Sequence, residues 1–121
     1  SNMKAKLILL LMSLNLFAWN TEFTAQEKPI LYMLSATYCE YCKKDMRTFE
    51  EEPLKSYSEK NFYKIYQHKD LVNVPSHLDA DITPTYYILK SNGEIVSQIR
   101  GTQSKENLIK FLNQGIYKAK Q

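Results

Sequence analysis

The apolar positions of this chain fall into runs and stripes of different period, and each predicts an element. Residues 30–35 form a continuous apolar stretch, Ile30-Leu31-Tyr32-Met33-Leu34 and then Ser35, the mark of a central strand buried on both faces. Before it, Asn20 or Thr21 is placed to cap a short helix holding Glu22, Phe23 and Ala25, with Pro29 ending it. From about Glu40 to Glu52 the pattern is helical, with Met46 and Phe49 on the inner side and Glu50-Glu51-Glu52 as a solvated end. Pro53 restarts the helix at its first turn, and Leu54 to Lys60 continues it. Phe62 to Gln67 alternates aromatic and polar residues around Ile65, which predicts a second strand. Leu71 to Ala80 reads as a loop, with room for one helical turn starting at Pro75, and Thr85 to Leu89 is a third strand. Asn92-Gly93 is a strong hairpin signal, so Ile95 to Arg100 becomes an antiparallel partner ended by Gly101. Ser104 caps a last helix whose apolar face is Leu108, Ile109, Phe111, Leu112 and Ile116.

A helical crossover joins the first two strands, which makes them parallel, with a right-handed connection. The hairpin adds antiparallel pairing. The expected architecture is therefore an α/β fold, a four-stranded mixed sheet with helices on both faces. At 121 residues the chain is one domain by length.

The N-terminus departs from this pattern. Met3-Lys4-Ala5-Lys6 is a short positive segment, and Leu7 to Phe17 is apolar apart from Ser13 and Asn15. That is the build of a secretory signal peptide. Two cleavage points stay open, after Ala18 with Leu16 at −3 and after Ala25 with Phe23 at −3. A buried core helix and an uncleaved interfacial anchor are the competing readings. The apolar run is shorter than the ~20 residues a membrane span needs. Ser1-Asn2 before the Met resembles a tag scar, so residues 1–18 are read as scar plus signal and residues 19–121 as the folded domain. A retained apolar segment must cover itself, on its own domain or on a second copy. Residues 3–18 thus offer a route to a dimer, whereas the mature form is expected to be a monomer. The expected localisation is periplasmic or secreted.

Charge adds little. Net charge is +3, but setting aside Lys4 and Lys6 leaves 14 basic residues against 13 acidic ones. No basic excess remains to suggest nucleic acid. Two cysteines are too few for a disulfide framework or an all-cysteine zinc site.

The position of those cysteines is more informative. Cys39 and Cys42 lie between the first strand and the helix that follows. A Cys-x-x-Cys there puts the first sulfur at a helix N-terminus, where unpaired N–H groups and the dipole stabilise a thiolate. The second thiol, one turn on, is close enough to resolve a mixed disulfide. Cys39 is thus the expected nucleophile and Cys42 the shielded resolving thiol. Glu40 beside the thiolate raises its pKa, while Lys43 and Lys44 partly offset that through screened charges. Tyr38 and Tyr41 flank the pair and read either as an apolar rim for partner proteins or as ordinary surface residues. His68 and His77 are the only histidines; they could be metal ligands or acid–base groups, although a lone loop histidine is more often neither.

Taken together, Lys28 to Leu34, the segment Tyr38-Cys39-Glu40-Tyr41-Cys42-Lys43-Lys44, Ile82-Thr83-Pro84-Thr85, Ser91 to Glu94 and Arg100-Gly101 resemble the thioredoxin superfamily. The likeness runs from about Thr21 to Gly115, and the nearest subgroup is that of small thioredoxin-like proteins of the bacterial envelope. It implies a thioredoxin-like three-layer fold, a cis Pro84 facing the cysteines, and a backbone at Thr83 that meets an extended substrate. Two departures stand out. Met33 occupies the position where most thioredoxins hold a buried Asp, with no evident replacement except Glu40, and Tyr38 stands where Trp is common.

The expected function is therefore a thiol–disulfide oxidoreductase of the bacterial periplasm, a reductant rather than an oxidant. It would act on client proteins with thiols or disulfides, without a cofactor, and be regenerated by a membrane or soluble redox partner. The alternative is a non-enzymatic thioredoxin-fold module that binds a peptide or a soft metal ion. A peroxide-reducing enzyme is a third reading.

Overall fold

A computed structural model describes residues 27–121. The expected helix after Asn20 and the expected signal at residues 3–18 fall outside the described residues. Along the chain come β1 (Ile30–Ser35), α1 (Glu40–Thr48), α2 (Leu54–Asn61), β2 (Tyr63–His68), a 3-10 turn (Ser76–Leu78), β3 (Thr85–Leu89), β4 (Ile95–Arg100) and α3 (Lys105–Ala119).

The strands form one sheet in the order β2-β1-β3-β4. β1 runs parallel to β2, with Ile30 opposite Tyr63 and Ser35 opposite His68. It runs antiparallel to β3, with Met33 opposite Tyr86 and Leu31 opposite Ile88. β4 completes the hairpin with β3. The continuous apolar run of β1 follows from its central place, with both faces covered. The two-residue period of a strand then sorts side chains between layers. Leu31, Met33, Tyr86 and Ile88 face Phe49, Leu54, Leu108 and Leu112 from the helical layer. Tyr32, Leu34, Tyr87 and Leu89 lie under Leu78 of the 3-10 turn, with Val74 and Ala80 alongside. The expected thioredoxin-like mixed sheet is present, with the long helices on one face and the segment holding the 3-10 turn on the other.

Several boundaries differ from expectation for local reasons. α1 ends at Thr48 rather than Glu52, because Phe49 turns into the core and the next two N–H groups bond three residues back. Pro53 also biases Glu52 away from helical geometry, and the Glu52–Pro53 bond is cis. β2 starts one residue late, since the Phe62 N–H still closes α2 onto the Ser58 carbonyl. As an edge strand β2 leaves Tyr63 and Ile65 exposed, so its alternation does not mark a buried face. In α3, Ser104 accepts from the Asn107 N–H at 3.1 Å, which closes the expected cap. Gly115 is buried against β3, where a Cβ would collide with Ile88 Cδ1. Among the described residues no helix is long and apolar enough to cross a membrane.

Candidate functional site

The end of β1 delivers the chain into a tight turn, in which the Cys39 N–H bonds the Ala36 carbonyl at 3.1 Å. Cys39 then serves as the N-cap of α1, with extended backbone, and its sulfur accepts the Cys42 N–H at 3.1 Å. A cap position leaves the first N–H groups of the helix without partners inside it. Here the sulfur takes one of them. Cys39 and Cys42 are joined as a disulfide. Cys39 keeps 7 % of its surface open and Cys42 none. Cys42 is the more shielded of the two, as expected, but Cys39 is itself nearly buried rather than exposed.

Thr83 and Pro84 come to the same place from β3. Their peptide bond is cis, as the family likeness implies, and the Thr83 carbonyl oxygen lies 3.5 Å from Cys39 Sγ. The Pro84 carbonyl accepts from the Gly101 N–H at 2.7 Å, which ties this loop to the end of β4. Gly101 has φ +84°, a conformation that disfavours other residues.

A third loop closes the ring. The Thr37 N–H donates to Asp70 Oδ1 at 2.9 Å and the Thr37 hydroxyl donates to Asp70 Oδ2. These bonds hold the Asp70 carboxyl below the usual carboxylate range. Next along, Lys69 pairs with Asp79 at 3.0 Å and donates to the Ala80 carbonyl at 2.6 Å. The carboxylate raises the Lys69 pKa, and the ammonium lowers that of Asp79. The turn carrying Leu71 and Val72 is thereby fixed beside the cysteine turn.

Tyr38 is 73 % exposed and Tyr41 63 %, and neither belongs to a core cluster. Leu71, Val72 and Ile82 are also large, apolar and exposed. With the tyrosines they sit on the three segments that the Thr37–Asp70 bonds and the Cys39–Thr83 approach bring together at the cysteine turn. Sequence reasoning found the tyrosines and missed Leu71, Val72 and Ile82. The available signal was a pair of consecutive aliphatic residues in an otherwise polar loop.

The expected tuning charges pair with each other. Lys43 Nζ lies 3.0 Å from Glu40 Oε1, with side chains 52 % and 81 % exposed. Their opposing effects on Cys39 cancel to first order and are screened by solvent. A second acid of α1, not singled out from the sequence, lies on its inner side. Asp45, three residues after Cys42 on the same face of α1, is fully buried. Its carboxylate accepts from the Tyr86 hydroxyl at 2.6 Å, the Gln103 N–H at 3.1 Å and the Thr102 hydroxyl. Its helical spacing from Cys42 was the signal available in the sequence. Burial and its Asp45 partner push the Tyr86 pKa far above the ordinary phenol value.

Among the described residues neither histidine bonds a cysteine or Thr83. His77 contacts the Gly93 carbonyl at 3.1 Å, and His68 packs edge-on against Tyr66 with its Nδ1 sealed from solvent. Among the described residues no group of three or more His, Cys, Asp or Glu side chains is placed to hold a metal ion. An apolar cavity of about 60 Å³ between α1 and β2, lined by Met33, Met46, Phe49 and Tyr66, contains neither cysteine in its wall.

Comparison with known proteins agrees with this architecture. No curated protein matches the sequence. Among solved structures, the germline-specific thioredoxin Deadhead of Drosophila melanogaster is similar at 18 % identity and TM-score 0.58, over 79 % of this chain and 90 % of its own. Thioredoxin-2 of a malaria parasite, described as a component of the protein secretion machinery, is similar at 19 % identity and TM-score 0.61, over 72 % and 82 %. A further malarial protein gives 16 % identity and TM-score 0.60, over 74 % and 99 %. Such identities speak for the fold alone. The family described as thioredoxin-like domain matches residues 20–116, most of the sequence and all of the sheet. The chain belongs to that family.

Proposed function

We propose that this protein is a thiol–disulfide oxidoreductase that reduces disulfides in client proteins of the bacterial envelope. The observation that carries the proposal is the Cys39–Cys42 disulfide at the start of α1, beside the Thr83 carbonyl, with Tyr38 and Tyr41 exposed next to the cysteines in the chain. In the reduced form the Cys39 thiolate attacks a client disulfide. One client sulfur leaves as a thiolate, and a mixed disulfide forms. Cys42, deprotonated, then attacks Cys39 Sγ. The second client thiolate leaves, and the Cys39–Cys42 disulfide closes. Two electrons pass from the protein to the client, and the client thiolates take up protons. No cofactor enters, because the sulfurs carry the electrons. A membrane or soluble dithiol partner must restore the reduced form.

The reductant direction rests on Cys39 having, once Glu40 and Lys43 cancel, only the helix N-terminus and the screened charge of exposed Lys44 to stabilise its thiolate. A weakly stabilised thiolate makes the disulfide the favoured state. Tyr38, Tyr41, Thr83 and Pro84 are the residues a client segment would meet. Location in the periplasm or outside the cell rests on residues 3–18, and the mature form is read as a monomer.

The test is the equilibrium of Cys39–Cys42 with glutathione, together with trapping by Cys42→Ser. A potential near or below about −220 mV, with a client held on Cys39 in the variant, supports the reading. A value near about −120 mV reverses the direction. No exchange at all moves the protein to the peptide- or metal-binding alternative.

A further inference from the structure

We propose that Asp45 is a positioning residue for exchange, holding the cysteine helix in register with the Thr83–Pro84 loop that a client backbone meets. The inference rests on the exchange reading above and adds a component to it.

Asp45 lies within the core, where an acid is costly unless donors converge on it. Three do, and all come from the far side of the site. Tyr86 follows Pro84 by two residues. Thr102 and Gln103 follow Gly101, whose N–H holds the Pro84 carbonyl at 2.7 Å. The Gln103 side chain in turn donates to the Arg100 and Gly101 carbonyls, both at 3.1 Å, and so fixes that turn. The contacts form a closed circuit. It runs from Cys39 along α1 to Asp45, across to Tyr86 and the 101–103 turn, through Pro84 to Thr83, and back to Cys39 Sγ at 3.5 Å. Asp45 is the single side chain of α1 that bonds this turn and β3 together, so it sets the gap between the nucleophile and the Thr83 backbone. Replacing the whole set, Asp45 together with its donors, by apolar residues would avoid the desolvation of a charge, which makes stability alone a poor reason for an acid. Misplacement of a docking group by ~1 Å costs up to ~100-fold in rate.

Asp45→Asn separates placement from charge. Its carbonyl reproduces the acceptor for Tyr86 and Gln103, and its NH2 meets Thr102 once that hydroxyl turns to accept. Asp45→Ala removes all three contacts. The proteins are compared at a temperature where circular dichroism shows each folded, after full reduction. Two readouts are taken, alkylation of Cys39 by iodoacetamide and reduction of insulin. Alkylation needs the sulfur but not the loop, whereas insulin needs both. Asp45→Ala is expected to keep Cys39 alkylation within about threefold while losing ~10-fold or more in insulin kcat/KM, mainly through KM. Asp45→Asn is expected to recover most of that loss. If Asp45→Ala does not fold, Thr102→Val removes one contact and should show the same split at smaller size.

Equal insulin kinetics in wild type and folded Asp45→Ala would overturn the proposal. So would a parallel fall in alkylation, or an Asp45→Asn as poor as Asp45→Ala. A wild-type protein that is alkylated at Cys39 yet exchanges with neither insulin nor glutathione defeats the exchange reading itself, and this inference falls with it.

Discussion

Helix α1 meets water on one side and the sheet on the other, and it carries an acid on each. Glu40, on the outer side, sits next to Cys39 in sequence and pairs with Lys43 in solvent. Asp45, on the inner side, is further from Cys39 in sequence and is held by Tyr86, Thr102 and Gln103. An exposed ion pair is worth ~0–1 kcal/mol, because water screens it and two long side chains must be ordered. Removing one member of a buried, hydrogen-bonded set costs several times more, because the remaining groups lose both partner and water. Depth, rather than nearness in sequence, separates the two acids.

The cysteines divide in the same way, and they give the largest expected effects. Cys39→Ser should abolish reduction of insulin, with a loss of at least ~1000-fold, since no other thiol can start the attack. Cys42→Ser should also stop turnover while leaving a client on Cys39, visible as a mixed disulfide on a non-reducing gel. Multiple turnover by either variant would contradict the assignment of roles along the helix.

Stability sharpens the comparison next. Asp45→Ala should lower the unfolding free energy by about 3 kcal/mol, as Tyr86, Thr102 and Gln103 donors lose their acceptor. Glu40→Ala should change it by less than ~0.5 kcal/mol. Urea denaturation of the two variants decides the matter, and similar losses would remove the distinction between the faces.

Much of the fold was legible because one physical cause dominated each element. β1 reads as a double-faced run, the hairpin as Asn92-Gly93, and the start of α3 as Ser104. The Cys-x-x-Cys and Thr-Pro-Thr segments were equally legible, since backbone requirements fix them locally. What stayed hidden depends on partners far along the chain. Asp45 looks like any helix acid until Thr102 and Gln103, more than fifty residues on, are seen to converge on it. Leu71 and Val72 gain meaning only once Asp70 fastens their turn to Thr37. The end of α1 was misplaced because helix propensity favours Glu50 to Glu52, whereas burial of Phe49 and the backbone limits of Pro53 prevail.

Alkaline pH probes the buried side through its phenols. Burial pushes the Tyr32 pKa up to about 12, and it raises those of Tyr57, Tyr86 and Tyr87 as well. A raised folded pKa means that the fold holds protons which the unfolded chain releases near pH ~10. The resulting stability is complete below that value and is lost as pH rises through the folded pKa. The urea midpoint should therefore fall from about pH 10 upward. Tyr86→Phe, which removes the donor to Asp45, should make that fall shallower. A flat profile to pH ~11.5 would mean that the phenols are open to water.

The Leu71–Val72 turn gives a smaller effect, on clients alone. Leu71 and Val72 are exposed, so changing both to Ser should leave the unfolding midpoint in place. Insulin KM should rise by about tenfold at most, the loss of one partly buried aliphatic contact. Exchange with glutathione, too small to reach that turn, should not move. Equal effects on both substrates would place these residues outside the client surface.

The smallest effect belongs to the exposed pair. Glu40→Gln removes a negative charge beside Cys39, so its sign is fixed: the thiolate gains, the reduced form gains, and the potential rises. Because Glu40 is 81 % exposed and already paired, the shift should stay under about twofold in the equilibrium with glutathione, or roughly 10 mV. Lys43→Met should shift it by a similar amount in the opposite direction, and the double variant should return close to wild type. Raising the salt to 1 M shortens the screening length to ~3 Å and should erase both single shifts. If Glu40→Gln instead moves the equilibrium tenfold and salt leaves that change intact, the outer face of α1 acts at short range on the sulfur. Depth would then no longer separate the two acids of this helix.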